Sequence, residues 1–232
     1  MFFGFDRTFI LLIPAMIFAM WAQWKVQSTF ARYSRVRAAN GLSGRDMARR
    51  IMTRNGVTDV EVEPVAGMLS DHYDPRSRKV RLSEPNYAGG SISAIAVAAH
   101  EVGHALQHQE GYFPLQIRSG MAPVVGIAST AAMPLFIIGL LFGTGAAWGG
   151  LLMDLGILFF AGAVLFHLVT LPVEFDASRR ALAQLTSTGA VQPEEISGAK
   201  KVLDAAALTY VAAAAMAVLQ LVRLLVLRND RR

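Results

Sequence analysis

Apolar residues in this chain are gathered into a few long runs, and charge is confined to the blocks between them. No charged residue occurs from Thr8 to Trp24, from Ser119 to Met153, from Leu155 to Val173, or from Ala205 to Val222. A hydrocarbon core of about 30 Å takes about 20 helical residues at about 1.5 Å each. Thr8–Trp24 therefore predicts a membrane helix anchored at the interface by Trp21 and Trp24. A cleaved signal peptide suits it less well, because no A-x-A site follows and aromatic residues flank both ends. Ser119–Met153 is too long for one span and holds a breaker cluster, Gly143-Thr144-Gly145 through Trp148-Gly149-Gly150. A transmembrane hairpin is expected there, with helices near Met121–Phe142 and Leu151–Leu171. Ala205–Leu227 is rich in alanine and interrupted by Arg223; it either crosses as a fourth span or lies partly in the interface.

Two polar blocks remain. The expected order is an N-terminal membrane helix (1–24), a polar block (25–118), the hairpin (119–171), a second polar segment (172–204), and a fourth membrane helix with a basic tail (205–232). Within the first block, Met47 and Ile51 have helical spacing, and Asn55-Gly56 marks the stop. Val60 and Val62 alternate with acids, and Val80 and Leu82 alternate with Lys79 and Arg81, which predicts two short half-buried strands. Their outward charges are opposite, so antiparallel pairing is expected, with Asp74-Pro75 as a turn between them. Ser91 or Ser93 would cap the next helix, which runs through His108 to Gly111. The fold class is thus mainly α: three or four membrane helices with a small α+β, zincin-like domain.

Composition narrows the function. The chain of 232 residues is 53% hydrophobic and only 17% charged, against about 25% in soluble domains. Its mean hydropathy of +0.40 excludes an ordinary soluble enzyme or a disordered chain. With no cysteine there are no disulfides, thiolate zinc sites or cysteine nucleophiles. The net charge of +5 reads as membrane orientation and gives no case for nucleic acid. Lys25, Arg32, Arg35, Arg37, Arg45, Arg49, Arg50 and Arg54 face a single Asp46, which puts that flank in the cytoplasm, and the hairpin returns the chain to the same side. A full fourth span would leave Arg228, Arg231 and Arg232 outside, against the rule.

The chemistry lies in His100-Glu101-Val102-Gly103-His104, an H-E-x-x-H motif in a helix whose run from Ile95 to Leu106 is otherwise uncharged. Residues four apart lie about 40° apart around the axis and about 6 Å along it, so both imidazoles reach one zinc at about 2.0–2.1 Å. Glu101 lies about 60° from His104, near a metal-activated water but not itself a ligand, and could take and return its proton. Burying these groups without a metal would cost several kcal/mol (~1–3 for each unpaired polar group). His108 lies about 12 Å along the helix from His100 and reads as solvent-facing or supporting. His72 would orient substrate, stabilise an oxyanion, or simply bond locally in its turn. The third ligand is expected among the acids after the hairpin. Glu174 and Asp176 point about 160° apart on a helix, so one faces the zinc. Pro172 suits a helix start or a kink, where an acid such as Asp176 would complement the dipole.

From Gly41 to Gln107 the chain resembles the bacterial neutral zinc metallopeptidases of the membrane, the YugP-like family. The resembling pieces are Ala48-Arg49, Asn55-Gly56-Val57, Asp71-His72-Tyr73-Asp74-Pro75, Leu82-Ser83 and Ala98-Ala99-His100-Glu101-Val102-Gly103-His104-Ala105-Leu106-Gln107. The likeness resumes at Pro172-Val173-Glu174-Phe175-Asp176-Ala177-Ser178 and at Ala207-Leu208-Thr209-Tyr210-Val211-Ala212. It implies an integral-membrane zinc endopeptidase of the gluzincin type, with His100 and His104 as ligands and Glu101 as general base. The layout is also similar to the HtpX-like and CaaX-prenyl-protease group, where the ligand glutamate opens an E-[FY]-x-A-D pattern. Here Glu174, Phe175 and Ala177 match, and Ser178 stands where that pattern has aspartate. The alignment favours Glu174 over Asp176. His167 reads as a bundle-interior histidine.

The expected function is hydrolysis of peptide bonds at the cytoplasmic membrane face, with one Zn2+ held by His100, His104 and Glu174. Substrates would be membrane-associated proteins or peptides, with Lys79–Leu82 as the strand that pairs with them. The rival from another class is a proteolytically inactive, zinc-stabilised membrane scaffold or assembly factor. Ionisable groups within the spans are too few for a transporter or channel. A membrane-protein partner is not identified by the sequence.

Overall fold

The computed structural model describes residues 7–143 and 147–230. The part of the expected hairpin turn at 144–146, and the last two basic residues, lie outside them. The fold is mainly helical, with four helices long and apolar enough to cross a membrane and one three-stranded sheet. The chain forms two compact units: residues 7–22, 117–171 and 209–230 in one, 23–116 and 172–208 in the other.

The first unit holds the apolar helical segments. After a 3-10 turn at Arg7–Leu12, α1 runs Ile13–Tyr33 and exposes Met16, Ile17, Met20, Trp21 and Trp24. α5 (Phe113–Phe142) and α6 (Ala147–Ser187) make the hairpin, and α7 (Pro193–Asn229) supplies the fourth apolar helix. Phe136, Met153 and Leu224 are buried together, one from each of these three helices. Three charged residues of this unit are engaged: Arg228 grips Asp154 through two nitrogens at 2.8 and 2.9 Å, and Arg223 bonds Thr8 and lies over Phe9.

The second unit carries the motif residues. Its helix α2 (Gly44–Arg54) is closed by a capping box between Ser43 and Asp46, and Gly56 takes the left-handed conformation just past its end. A short α3 (Glu84–Ala88) precedes α4 (Ile92–Gln109), which Ser91 caps by accepting from the Ala94 N–H at 3.2 Å. Met47, Ile51, Ile95, Val102 and Leu185 pack with Val80 and Leu82 in the core. Asn55 and Gln184 exchange hydrogen bonds at 2.9 and 3.1 Å, tying α2 to α6.

The sheet differs from expectation. Three strands form it, β1 (Glu61–Val65), β2 (His72–Asp74) and β3 (Lys79–Ser83), in the order β1-β3-β2. β1 pairs with β3 in parallel, and β2 pairs with β3 antiparallel. The charges do pair: Glu63 takes Lys79 and Arg81, each at 2.7 Å. Alternation fixes which face is charged but says nothing of direction. The short β2 takes the hairpin position beside β3, its turn held by Asp74, which accepts from the Arg76 N–H at 2.9 Å and the Ser77 hydroxyl at 2.7 Å. β1 is left to the other edge. Lys79–Leu82 thus belongs to the central strand, with both edges occupied, and has no edge to offer a substrate.

A second difference concerns α6. Pro172 lies inside one continuous helix and does not open a new one. Neither Glu174 nor Asp176 stands at a helix start, and a dipole role for Asp176 does not hold. What brings α6 against α4 is Gly103. A Cβ there would fall 2.6 Å from the Ala177 carbonyl oxygen. In an isolated helix, Gly→Ala stabilises by about 0.8–1.0 kcal/mol. Here the sign reverses: Gly103→Ala is expected to lower the melting temperature in detergent, costing about 1–3 kcal/mol through overpacking. A melting temperature equal to or above wild type would show that the helices do not meet so closely.

Candidate metal centre

α4 presents His100 and His104 from successive turns of one face, and α6 presents Glu174 to them across the Gly103–Ala177 contact. His100 Nε2 lies 3.2 Å and His104 Nε2 3.6 Å from the same carboxylate oxygen, Glu174 Oε2. Ligand atoms of all three lie within 4.8 Å of one another. Bonds of about 2.0–2.1 Å in a tetrahedron put neighbouring ligand atoms about 3.3 Å apart, close to both histidine–carboxylate separations, so this donor set suits zinc. Glu174 is 2% exposed, and His104 and Glu101 8% each. A buried carboxylate beside two imidazoles is paired; it would otherwise be neutralised by protonation.

The spacing-based choice between Glu174 and Asp176 is decided by position. Asp176 is also buried, but it accepts from Gln107 at 2.9 Å and pairs with Arg179 and Arg180, away from the histidine pair. Glu101 is outside the three-residue cluster. Burial pushes its carboxyl up to about 7; the His100 ring pulls it down, Glu174 and Asp71 add to the rise, and the Tyr73 backbone N–H on β2 pulls it down. This is a carboxylate beside the cluster and not in it, close enough to feel two of its members.

The other histidines take ordinary places. His72 is exposed and its Nδ1 donates to the Ser70 carbonyl at 2.7 Å, the local turn bond. His108 is half-buried, with Nδ1 2.7 Å from the Tyr73 phenol. Burial pushes that phenol up to about 12, and either group can be the donor, according to the His108 tautomer. Tyr73 and His108 also line a cavity of about 170 Å³ with Asp59, Arg78 and Ala105. His167 is half-buried on α6 in the other unit, against Phe166. The sequence marked Ser178 only as standing where the HtpX-like pattern has aspartate, and gave Gln107 no role. Ser178 Oγ lies 3.1 Å from His100 Nδ1, taking the position behind the ligand. Gln107 Oε1 lies 3.0 Å from His104 Nδ1. The signal for Gln107 was its place three residues after His104, on the same helical face in an apolar run.

Comparison with known proteins agrees with this geometry. The sequence model of the family described as "Putative neutral zinc metallopeptidase" matches residues 8–229. The chain is 54% identical over 213 residues to the "Putative membrane protease YugP" of Bacillus subtilis (strain 168), covering 92% of each chain. No solved structure matches. Zinc is what that family description implies, His100, His104 and Glu174 could hold it, and the chain belongs to this neutral zinc metallopeptidase family.

Proposed function

We propose that the chain is a zinc-dependent endopeptidase of the membrane, holding one zinc through His100, His104 and Glu174, with Glu101 as general base. One observation carries the reading. Two imidazole Nε2 atoms converge on one carboxylate oxygen at 3.2 and 3.6 Å, while the buried Glu101 beside them is left out of the cluster. Zinc bound there would polarise the scissile carbonyl and lower the pKa of an attacking water toward about 7. The remaining steps fall to the chain's own residues. Glu101 takes the proton from the attacking water and returns it to the leaving amine. The Tyr73 backbone N–H faces its carboxylate and helps to hold it. Glu174 supplies the single negative charge among the ligands. Of the two edge strands, β2 is the one whose backbone meets Glu101, so an extended peptide is expected to add to β2. Backbone pairing gives a loose sequence preference.

The site is assigned to the cytoplasmic side. The Arg-rich flank from Lys25 to Arg54 supports it. A full fourth span would put Arg228 on the opposite side, and its two-bond pairing with Asp154 would offset that charge and ease the conflict with the positive-inside rule.

Purified wild type and Glu101→Gln are expected to hold equal zinc, about one per chain, while the variant cleaves casein about 10²–10⁴-fold more slowly. Equal zinc with no cleavage by either protein would turn the reading towards a scaffold that zinc merely stabilises. Glu174→Ala is expected to lose zinc; undiminished zinc would remove it from the ligand set. The chain has no cysteine, so Arg49→Cys can be labelled without background. A membrane-impermeant maleimide is expected to react with it only after the cells are opened. Labelling of intact cells would reverse the orientation.

A further inference from the structure

Each ligand histidine has a second ring nitrogen, and the two are backed by groups of different kinds. His104 Nδ1 lies 3.0 Å from Gln107 Oε1. The other end of that amide is fixed twice: Gln107 Nε2 donates to the Val173 carbonyl at 2.8 Å and to Asp176 Oδ2 at 2.9 Å. Gln107 has no exposed surface, so water offers it no alternative. Turning the amide over would set its oxygen against two acceptors and lose both bonds, a cost of about 1–3 kcal/mol for each group left unpaired. Asp176 is itself held, by Arg180 Nε at 2.5 Å and by Arg179, and Arg180 also pairs with Glu110 at 2.7 Å. The amide therefore presents an acceptor to His104, and an acceptor demands a proton on Nδ1.

We propose that Gln107 is a positioning residue, anchored by the Val173 carbonyl and Asp176. It holds His104 with the proton on Nδ1 and the Nε2 lone pair turned to the metal. This rests on the zinc reading above. His100 is held less strictly. Its Nδ1 faces the Ser178 hydroxyl at 3.1 Å, which can donate or accept and so dictates neither tautomer. The two ligands are unequal, and His104 is the one whose ring is set before metal arrives.

The test uses the full chain in detergent. Zinc affinity is read by chelator competition, ligand geometry by the visible absorption of the cobalt-loaded protein, and ring protonation by NMR with 15N-histidine. In the zinc-loaded wild type, His104 is expected to carry its proton on Nδ1. Gln107→Met keeps the volume and removes both donor and acceptor. It is expected to weaken zinc about 10–100-fold and shift the cobalt spectrum. Ser178→Ala is expected to weaken zinc less. A folded Gln107→Met protein with wild-type zinc affinity and cobalt spectrum would overturn the inference, as would zinc on His104 Nδ1 in the wild type. Should Gln107→Met fail to fold, the wild-type ring spectrum decides alone. Wild type that takes up no zinc would overturn the underlying reading too, which separates the two failures.

Discussion

The site depends on one backbone approach, the packing of Gly103 on α4 against the Ala177 carbonyl on α6. The H-E-x-x-H spacing alone produces two imidazoles on one face of a helix. Only a second helix, close enough for its backbone to lie where a Cβ would be, brings the Glu174 carboxylate within 3.6 Å of both. That closeness is set by the absence of one methyl group. It also places Val173 and Asp176 where Gln107 can reach them, so a single contact serves the histidine–glutamate cluster and the groups behind it.

Burying so many polar groups in an apolar chain requires that each be matched. Glu174 faces two imidazoles, and Asp176 faces one amide and two guanidinium groups. Asp71 accepts from the Ser83 N–H and hydroxyl and from Asn86, which fixes the approach to β2. The same economy holds among the apolar helices, where Arg228 is matched to Asp154. Low charge in the composition reflects this pairing. Few ionisable groups are present, and those near the centre are committed.

The helices were legible because their signals are long. Runs without charge marked the spans, Ser43 and Ser91 marked helix starts, and Asn55-Gly56 marked a stop. The histidine pair was legible because its spacing is a geometric statement in itself. Strand direction was not, since alternating charge reads alike in both directions. β2 was missed because three residues are too few for a period to show. The sequence could not separate Glu174 from Asp176 by spacing, and the HtpX-like pattern pointed to Glu174. The structure brings it to the histidines and turns Asp176 to Gln107. Pro172 reads locally as a start or a kink, yet the helix continues through it, sustained by packing on both sides of the proline.

That continuity constrains how the gene can change length. Glu174 stands 27 residues into α6, with no loop between the apolar stretch and that carboxylate to absorb an insertion. Adding one codon in that stretch turns every later residue by about 100° relative to every earlier one. Seven or eleven codons nearly restore the phase, whereas one or two do not. Indels in this helix are therefore expected to be tolerated in register or not at all.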